Sequence, residues 1–549
     1  MMRIITAMMI IIALISNVYA ADYYVHPQGN DKNSGLSQFD AWQTLSKASQ
    51  QHYQPGDNLL LAKGQQFYGE LLLSGQHGQP DKPIRVSSYA QTGINDQSAY
   101  IDAGKEHTAL SLINSSYIEV SDLALSAITP IVAHNNKVVK YKAKPAMRLG
   151  VLVKTTLPGE YPGIVLKRLQ IKDVFYHQAG FQRGSDEVKT ANGKQSYGWG
   201  IRVINNLKRA SFIDLEISDS TISNVSHTGI KFTSKHQNIE DVRVINNDVL
   251  KTGGPGIQLS GVKNGYFAHN RVNYSGSNND SRKWGRGSGL WTWGSDNILI
   301  EHNEFKNANG PGDSAGVHID FNCSNVVVQY NFSANNAGGF CEILGNNFNN
   351  AYRYNISVND GRRVKGVDGA FQQGKTFWLS GYRGKNKTRS GPFHSYFYNN
   401  TIYVDDTIIS KIAIDNKAKG ILIANNIFHI VGKSEAVLGD QYRADTANNQ
   451  PIENVVFTNN LFLNQKNWPS DIAIKDSNPL FGNARFINAG GLNKSDYRPT
   501  AASLIKGKGI AIKALPGDNI GLEIGFKVNR DILNNPIRNK PDLGAIEIQ

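Results

Sequence analysis

Short alternations of apolar and polar residues recur along most of the 549-residue chain, and many of them end in asparagine. Typical examples are "DVRVINNDV", "NILIEHNEF", "NVVVQYNFS" and "GILIANNIF". Strict alternation over roughly four to eight residues predicts β-strands that are buried on one face. Helical periodicity is nearly absent after residue 60. The pattern therefore predicts an all-β protein.

The asparagines that close these alternations mark a repeat. Neighbouring markers lie as little as 23 and 24 residues apart, and the set comprises Asn247, Asn270, Asn303, Asn331, Asn355, Asn400, Asn426 and Asn460. A unit of this size holds about three short strands at roughly 3.3 Å per residue. It buries its apolar face only by stacking on its neighbours. The repeat predicts a parallel β-helix with long loops, in which the marker side chains turn inward and bond to one another as a ladder.

The N-terminus, "MMRIITAMMIIIALISNVYA", carries Arg3, an apolar core from Ile4 to Ile15 and small residues before Ala20. This pattern is typical of a secretory signal peptide cleaved after Ala20, and the apolar run is too short to span a membrane. No later stretch reaches spanning length. We therefore expect residues 21–549 to form one β-helix domain that is secreted or periplasmic and monomeric.

The formal charge is +13, and it becomes +12 when Arg3 is removed with the signal peptide. A basic balance of this size suits an anionic partner. Export and the lack of a nucleic-acid-binding motif argue against nucleic acid. An acidic or sulfated polysaccharide fits the compartment better.

The chain has two cysteines, Cys323 and Cys341. An oxidising compartment permits a disulfide, but we expect two small buried thiols. Neither cysteine has a metal-ligand partner at the usual spacing. A dense cluster of Asp and Glu that would hold Ca²⁺ is also missing from the sequence. We expect no cofactor, with Ca²⁺ as the alternative.

Two carboxylates stand inside apolar runs, Asp320 in "VHIDF" and Glu342 in "FCEIL". A buried charge is costly unless it is paired or used. If Gly316 aligns with Gly338, the acids occupy equivalent outward positions of consecutive coils, roughly 5 Å apart because coils stack about 4.8 Å apart. A retaining glycosidase needs about 5–5.5 Å between its two carboxylates. The alternative alignment, Gly316 with Gly339, would turn one acid inward.

Two further polar residues precede Asp320. His318 lies two positions earlier, on the same face, where it would bind a sugar hydroxyl or tune Asp320. Asp313, in "GPGDSAG", is typical of a turn, although a third acid or an orienting group would also fit there. We count both residues with the substrate site.

Two basic segments rich in aromatic residues lie in gaps of the repeat, one in the 45-residue gap before Asn400 and one in the 33-residue gap before Asn303. Residues 361–395 contain eight Lys or Arg and one Asp, and residues 281–294 combine Arg with Trp. Arg and Lys would bind sulfate or carboxylate groups, and Trp faces would stack on sugar rings. The substrate-binding residues expected from these segments are Arg286, Trp291, Trp293, Arg363, Lys365 and Lys375. For the two Trp, a purely structural role is equally compatible.

Both ends of the mature sequence resemble secreted right-handed parallel β-helix enzymes that act on polysaccharides. The resemblance rests on Tyr24-Val25-x-Pro27, Gly29, Asp31, Asn33, Gly35, Trp42-x-Thr44-Leu45, Pro55-Gly56-Asp57, "SDYRPTAASLIKGKG" and the final "PDLGAIEIQ". It implies a right-handed β-helix. We expect a helix over Trp42–Gln51 to cap the first coil, because the open edge of a solenoid needs cover.

The acid segment resembles β-helical glycoside hydrolases, most closely families 120 and 141. In family 120, an Asp in a "G-φ-x-x-D" strand is paired with a Glu about one coil later, as Asp320 and Glu342 are here at a separation of 22 residues. The resemblance implies Asp320 as nucleophile and Glu342 as general acid/base. The aromatic and His-Gly residues expected around the pair are replaced by "HIDFN" and "EILGNN". If the acids are instead structural, Asp320 caps a turn and Glu342 pairs with Arg353 or Arg363.

We therefore expect a glycoside hydrolase that cleaves an anionic polysaccharide, for example a sulfated one, with retention, whereas a uronate-containing polysaccharide would suit a lyase. The alternative is a polysaccharide lyase that would use Lys365, Arg363 or His318 as its base. A third class, a non-catalytic sugar-binding β-helix, would keep the aromatic and basic residues without needing two stacked acids.

Overall fold

The computed structural model describes residues 20–90, 96–128, 147–175, 198–277, 282–437, 452–469 and 474–549. Over these ranges the chain winds into coils whose strands pair in parallel with those of the coils before and after, forming three long sheets. The predictions of an all-β class and a parallel β-helix are confirmed. The predicted signal peptide lies, except for Ala20, outside the described residues.

The strands of each sheet follow one another coil by coil. Sheet 1 contains, within the described ranges, Asp22–Val25, Asn58–Ala62, Ile84–Tyr89, Ile118–Ser121, Gly159–Lys167, Ala210–Ser218, Ile239–Ile245, Val262–Ala268, Asp296–Glu301, Ser324–Gln329, Phe348–Arg353, Phe393–Tyr398, Lys419–Ala424 and Val455–Thr458. Sheet 2 contains Leu71–Ser74, Thr108–Ile113, Arg148–Lys154, Gly198–Asn205, Ile230–Ser234, Ile257–Ser260, Leu290–Trp293, Ala315–Ile319, Gly339–Ile343, Phe377–Leu379, Ser410–Ile414 and Ser434–Ala436. Sheet 3 contains Gln66–Tyr68, Ala99–Asp102, Leu123–Ile128, Gln170–Phe175, Thr221–Val225, Asp248–Thr252, Arg271–Ser275, Glu304–Lys306, Phe332–Ala334, Ile356–Val358, Thr401–Val404, Ile427–Ile430, Leu461–Phe462 and Leu480–Phe481.

An α-helix, Leu45–Gln50, covers the first coil, as predicted, although it is shorter than the expected Trp42–Gln51. It begins at Thr44, whose side chain accepts a hydrogen bond from the backbone N–H of Lys47 at 3.1 Å. Such an N-cap satisfies a donor that the helix leaves unpaired. Its Leu45 and Ala48 are buried in the main core, so the helix closes the apolar end of the solenoid.

The other helices within the described residues are short. They are the 3₁₀ turns Gln38–Asp40, Gln465–Asn467 and Lys494–Tyr497 and the α-helical turn Ala502–Ile505. No helix in the described parts of the chain has the length and apolar character needed to cross a membrane.

The marker asparagines form a buried ladder, as the repeat predicted. The Asn331 side-chain oxygen accepts from the backbone N–H and the side-chain amide of Asn303, at 2.9 and 3.0 Å. The Asn331 amide in turn donates to Asn355 at 3.1 Å. All eight markers are linked in this way, and the ladder ends on Asp476. Each link satisfies buried polar groups at a turn where strand pairing stops.

Both cysteines are buried and reduced. Cys323 and Cys341 belong to the main hydrophobic core, and the Cys323 sulfur lies 3.4 Å from the hydroxyl of Thr292. The expectation of two small buried thiols is confirmed, and the two residues do not form a disulfide.

The C-terminal segment runs back over the outer face of sheet 1. Arg353 and Tyr398 donate to the backbone carbonyls of Gly525 and Phe526, at 2.6 and 2.8 Å. Arg353, one of the two partners considered for Glu342, is thus used on a different sheet.

Candidate active site

The predicted acids lie on the outer face of sheet 2. Strand pairing sets Trp291 opposite His318, His318 opposite Glu342 and Glu342 opposite Trp378. Intervening residues such as Val317 belong to the core. Because successive side chains of a strand point to opposite faces, the four paired residues form one outward column across four coils.

The predicted register of the two acids is wrong. Ala315 lies opposite Gly339, and Glu342 lies opposite His318, not opposite Asp320. Neither glycine alignment considered from the sequence holds, because the offset between the strands is two residues larger than expected. Asp320 still lies on the outer side, since a shift of two residues preserves the face. Across one coil step and two residues, however, backbone positions are roughly 8 Å apart, so the spacing argument for retention does not apply to this pair.

Asp313 joins the site as a third acid. It lies in a turn with φ of +43°, as its sequence context predicted, yet its side chain is only 2% exposed and ion-paired with Arg286 at 2.6 Å. Its second oxygen, Oδ1, has no hydrogen-bond partner. Burial alone would raise the pKa of Asp313, but the charges of Arg286 and Arg363 offset this and hold the pKa below its usual value. Asp313 is therefore ionised at neutral pH.

His318 connects the acids. One donor atom each of Asp313, His318 and Glu342 lies within 4.8 Å of the other two, and His318 Nε2 is 3.5 Å from Glu342 Oε1. Burial lowers the pKa of His318 to about 4, Arg286 contributes to the lowering, and Asp313 opposes it. The imidazole is therefore neutral at neutral pH. Neither of its nitrogens has a hydrogen-bond partner.

The pKa values of the other two acids, Glu342 and Asp320, are both raised. Burial raises the pKa of Glu342 well above its usual value, and the charge of Asp313 adds to this effect while Lys375 opposes it. Burial also raises the pKa of Asp320, to about 7, although Trp291 Nε1 and the Phe321 backbone N–H donate to its oxygens at 3.0 and 2.8 Å. Carboxyl groups whose pKa values are driven apart in one site are the usual basis of acid–base catalysis.

The two predicted sugar-stacking Trp residues differ in exposure. Trp291 is 6% exposed, stacks on His318 at 5.4 Å between ring centroids and donates to Asp320. Its contacts orient the catalytic candidates. Trp293 is 37% exposed and meets the ring of Phe321 edge-on at 6.0 Å. Of the two, Trp293 is the one with a face open to a sugar ring.

Two basic residues of the 361–395 segment, Arg363 and Lys375, turn inward, whereas most of the others are exposed. Arg363 is buried and donates to the backbone carbonyls of Gly310, Asp313 and Gln372, at 3.0, 2.9 and 2.7 Å. Lys375 is buried with its ammonium 3.7 Å from the centre of the Trp378 ring. Lys365 is exposed. These charges neutralise the acid cluster and fix its loop, and their use as substrate ligands remains a prediction.

Sequence reasoning missed three residues of this loop. The Gln372 side-chain oxygen accepts from the backbone N–H of Asp313 and from Arg363. The Tyr382 pKa is raised by burial and by the charge of Asp320, and its ring meets that of Phe321 edge-on at 6.2 Å between centroids. Phe371 lies over the guanidinium of Arg286, 5.8 Å from its ring centre. The available signal was the length of the insertion, since loops on a rigid scaffold commonly complete a site.

Asp313, His318 and Glu342 are also the one group among the described residues whose donor atoms could hold a metal ion. Ca²⁺ prefers an all-oxygen ligand set, which a central histidine does not supply. Arg286 and Lys375 already place positive charge beside Asp313 and Glu342, and they disfavour a further cation. The donor set fits acid–base chemistry better than Ca²⁺.

Comparisons with known proteins agree with the observed fold. Residues 200–359 match a family model described as a right-handed β-helix region. The chain is 23% identical, over 96% of its length, to a lacto-N-biosidase of Bifidobacterium longum, and it spans only 36% of that protein. A solved GH136 lacto-N-biosidase from Eubacterium ramulus superposes with a TM-score of 0.54 at 18% identity, covering 76% of this chain and 67% of the other.

A more distant likeness involves a lyase. The PL6 family alginate lyase AlyGC covers 89% of this chain with a TM-score of 0.45 and 14% identity, and similarity at that level does not distinguish reactions on a shared fold. The comparisons confirm the right-handed β-helix and the resemblance to carbohydrate-degrading enzymes of that fold. The resemblance to families 120 and 141 in particular is not confirmed.

Proposed function

We propose that this protein is a glycoside hydrolase whose chemistry lies in the cluster of Asp313, Asp320 and Glu342. The observation that carries the proposal is a set of three buried carboxyl groups whose pKa values differ: that of Asp313 is lowered, that of Asp320 is about 7 and that of Glu342 is raised well above its usual value. Asp313 and Glu342 cluster with His318. Hydrolysis of a glycosidic bond needs both an ionised carboxylate and a proton donor. The similarity to a lacto-N-biosidase supports the same class of reaction.

The protonation states suggest roles that differ from those implied by family 120. Asp320, with a pKa of about 7, would give its proton to the leaving oxygen and later accept one from water, as a general acid/base must. Asp313, ionised and with Oδ1 unbonded, would attack the anomeric carbon, forming a glycosyl ester as the glycosidic C–O bond breaks. Water would then cleave the ester. Glu342 would remain protonated and donate a hydrogen bond.

Retention follows from this assignment. The Asp313 side chain is packed against Arg286 and close to His318 and Glu342, and it is 2% exposed. An inverting enzyme needs room for a water molecule between its base and the sugar. Attack by Asp313 itself would instead invert the anomeric centre once, and attack of water on the resulting ester would invert it again, so the product keeps its configuration. Proton NMR of the first-formed anomer would test this, and an inverted product would exclude Asp313 as nucleophile.

We further propose an anionic polysaccharide as substrate, an exported location and a monomeric state. The exposed cations Lys365, Lys385 and Lys387 of the 361–395 segment support the first. The apolar N-terminal segment supports export. N-terminal sequencing of protein recovered from the medium or periplasm would test cleavage after Ala20, and light scattering would test the monomer.

The decisive experiment is mass spectrometry of products from a panel of acidic, sulfated and neutral glycans. Products that are one water heavier per cut establish hydrolysis. Products with an unsaturated, ultraviolet-absorbing end establish a lyase, for which neutral His318 is the base best placed beside the acids. Asp313→Asn, Asp320→Asn and Glu342→Gln variants should each lose at least about 100-fold in kcat, since each removes a group that the site holds in a defined protonation state.

Leaving-group dependence separates the roles. On an aryl glycoside with a good leaving group, Asp320→Asn should recover its first step because the departing group no longer needs a proton, whereas Asp313→Asn should stay inactive. If Asp313→Asn recovers its first step on this substrate and Asp320→Asn stays inactive, Asp320 is the nucleophile and Asp313 the general acid/base.

A further inference from the structure

The outward column of sheet 2 continues beyond the acids toward the N-terminus. Strand pairing sets Trp291 opposite Gln258, Gln258 opposite Lys231 and Lys231 opposite Arg202. Each step is one coil, about 4.8 Å. Two cations and an amide therefore lie on the same face as the acid cluster, and Lys231 is three coils from His318, or roughly 14 Å.

Among the described residues, Lys231 is buried without a counter-charge, whereas Arg202 beside it is half-buried and donates to the sulfur of Met147. Lys231 is 8% exposed, and in the described ranges it has no hydrogen-bond or ion-pair partner. Its one identified electrostatic neighbour is Arg202, a like charge, and this proximity adds to the burial that lowers the Lys231 pKa to about 7. Arg202 Nε is also buried without an acceptor. A buried cation that lacks a counter-charge costs free energy, so an anion is the group that this arrangement lacks.

Further unsatisfied donors belong to the aromatic cluster beside these cations. The indole N–H groups of Trp199 and Trp284 are buried and have no acceptor. The Arg202 guanidinium lies over the Trp199 ring at 4.6 Å, and His227 stacks on Trp199 at 4.8 Å. Trp291 belongs to the same hydrophobic cluster. The cluster thus extends from the cations to the acid site.

We propose that Arg202, Lys231 and Gln258 form a subsite for an acidic substituent of the substrate, a carboxylate or a sulfate ester. The inference rests on the proposed function, because it places the anion on a glycan bound along the column. Two cations at neighbouring coils can both contact one anionic group, and the unbonded Gln258 oxygen would accept from a sugar hydroxyl. Trp199 and Trp284 would supply further donors to the anion or to the sugar.

Direct binding tests the subsite without requiring activity. The full-length mature protein would be titrated calorimetrically with sodium sulfate and with sodium glucuronate, at constant ionic strength in chloride. We expect at least one of the two anions to bind, and which one binds distinguishes sulfate from carboxylate recognition.

Lys231→Met should weaken binding by roughly tenfold or more, the loss expected for one charge-assisted contact. The matched control is Lys235→Met, because Lys235 is exposed just beyond the same strand. Binding that Lys231→Met leaves unchanged, or no binding of either anion, overturns the subsite.

Thermal unfolding of the same variants guards against misfolding. In chloride alone, Lys231→Met should melt above the wild type, because it removes an uncompensated buried cation. A melting temperature below the wild type would mean that Lys231 has a structural counter-charge, and it would overturn the proposal. Arg202→Gln provides a second variant, and it should weaken anion binding in the same direction.

Kinetics links the subsite to the substrate. For an acidic glycan that the enzyme cleaves, Lys231→Met should raise KM about tenfold with kcat unchanged, since the contact lies away from the reacting bond. On the carboxyl-reduced or desulfated form of that glycan, the variant and the wild type should have the same KM. Hydrolysis of neutral glycans without any anion binding would overturn the subsite alone. Anion binding without hydrolysis would overturn the proposed function alone.

Discussion

Glu342 lies directly opposite His318 in adjacent strands of sheet 2, with its Oε1 3.5 Å from the imidazole Nε2. Both groups are almost fully buried, and burial shifts the two pKa values in the directions that keep both groups uncharged. Asp313, at the edge of the same cluster, stays ionised beside Arg286. Burial therefore favours a single ionised acid, balanced by Arg286, over three ionised acids in this site.

Replacing Trp291 with Phe should shift the pH dependence of catalysis. The indole N–H donates to Asp320 at 3.0 Å, and a hydrogen bond to the ionised form lowers a carboxyl pKa. Loss of this donor should raise the Asp320 pKa from about 7. If Asp320 is the general acid, kcat/KM falls as pH rises through that pKa. The variant should therefore lose activity at a higher pH than the wild type, by about half a pH unit to one pH unit.

Trp293→Phe is the matched control, because Trp293 lies on the same strand but at its exposed end. Its alkaline limb should coincide with that of the wild type. If Trp291→Phe does not shift the alkaline limb of the kcat/KM profile, Asp320 does not set the pH dependence.

The Asp320→Asn variant should gain stability relative to the wild type as pH rises. The Asp320 pKa is about 7 in the folded protein and about 3.9 in an unfolded chain. The folded state therefore retains this proton longer, and the stability that Asp320 contributes below pH 4 is lost as pH rises through 7. Asn does not titrate, so the difference in unfolding free energy should favour the variant by about 2–4 kcal/mol more at pH 8 than at pH 4.

His318, whose pKa is lowered to about 4, acts in the opposite direction, because stability is lost as pH falls from its unfolded value of about 6.5 to that range. This contribution is common to both proteins and cancels in the difference. Denaturant unfolding at the two pH values supplies the measurement. A difference that does not vary with pH would mean that Asp320 is solvated.

Asn331→Ala should weaken the solenoid. Asn331 is fully buried, its oxygen accepts two hydrogen bonds from Asn303, and its amide donates to Asn355 and to two backbone carbonyls. An unmade hydrogen bond in the interior costs about 1–3 kcal/mol, so the unfolding free energy should fall by about 3–5 kcal/mol. Asn539→Ala, at an exposed position, should change it by less than about 0.5 kcal/mol. Equal stability of the two variants would show that the ladder contributes little.

Chelation should leave the enzyme intact. Arg286 and Lys375 already balance the charge of the acid cluster, so the chemistry assigned to Asp313 and Asp320 needs no cation. Activity and melting temperature should be the same after dialysis against EDTA, with and without added CaCl₂. A loss of activity that Ca²⁺ restores would instead assign the cluster formed by Asp313, His318 and Glu342 to a metal.

The fold could be predicted from the sequence because one short pattern, an apolar alternation ending in asparagine, is repeated. The marker asparagines fix where each coil turns. The register of Asp320 and Glu342 did not follow, since small residues precede both strands and no periodic signal separates offsets that differ by two residues. Their common face did follow, because the same two-residue shift preserves it. The inward bonding of Arg363 and Lys375 could not be predicted, since composition gives the charge of a loop but not the direction of its side chains.

Because the coils stack at a constant spacing, neighbouring positions along the outward column of sheet 2 are separated by a fixed distance. Lys231 and His318 are separated by a whole number of coils, so their spacing changes only in steps of about 4.8 Å when a coil is inserted or removed. Point mutations cannot adjust this distance gradually. In a β-helix with one coil more or fewer between the two positions, the distance between the proposed anion subsite and the acid cluster would be longer or shorter by one coil. Such a protein would bind a glycan whose acidic substituent lies correspondingly farther from or nearer to the bond that is cut.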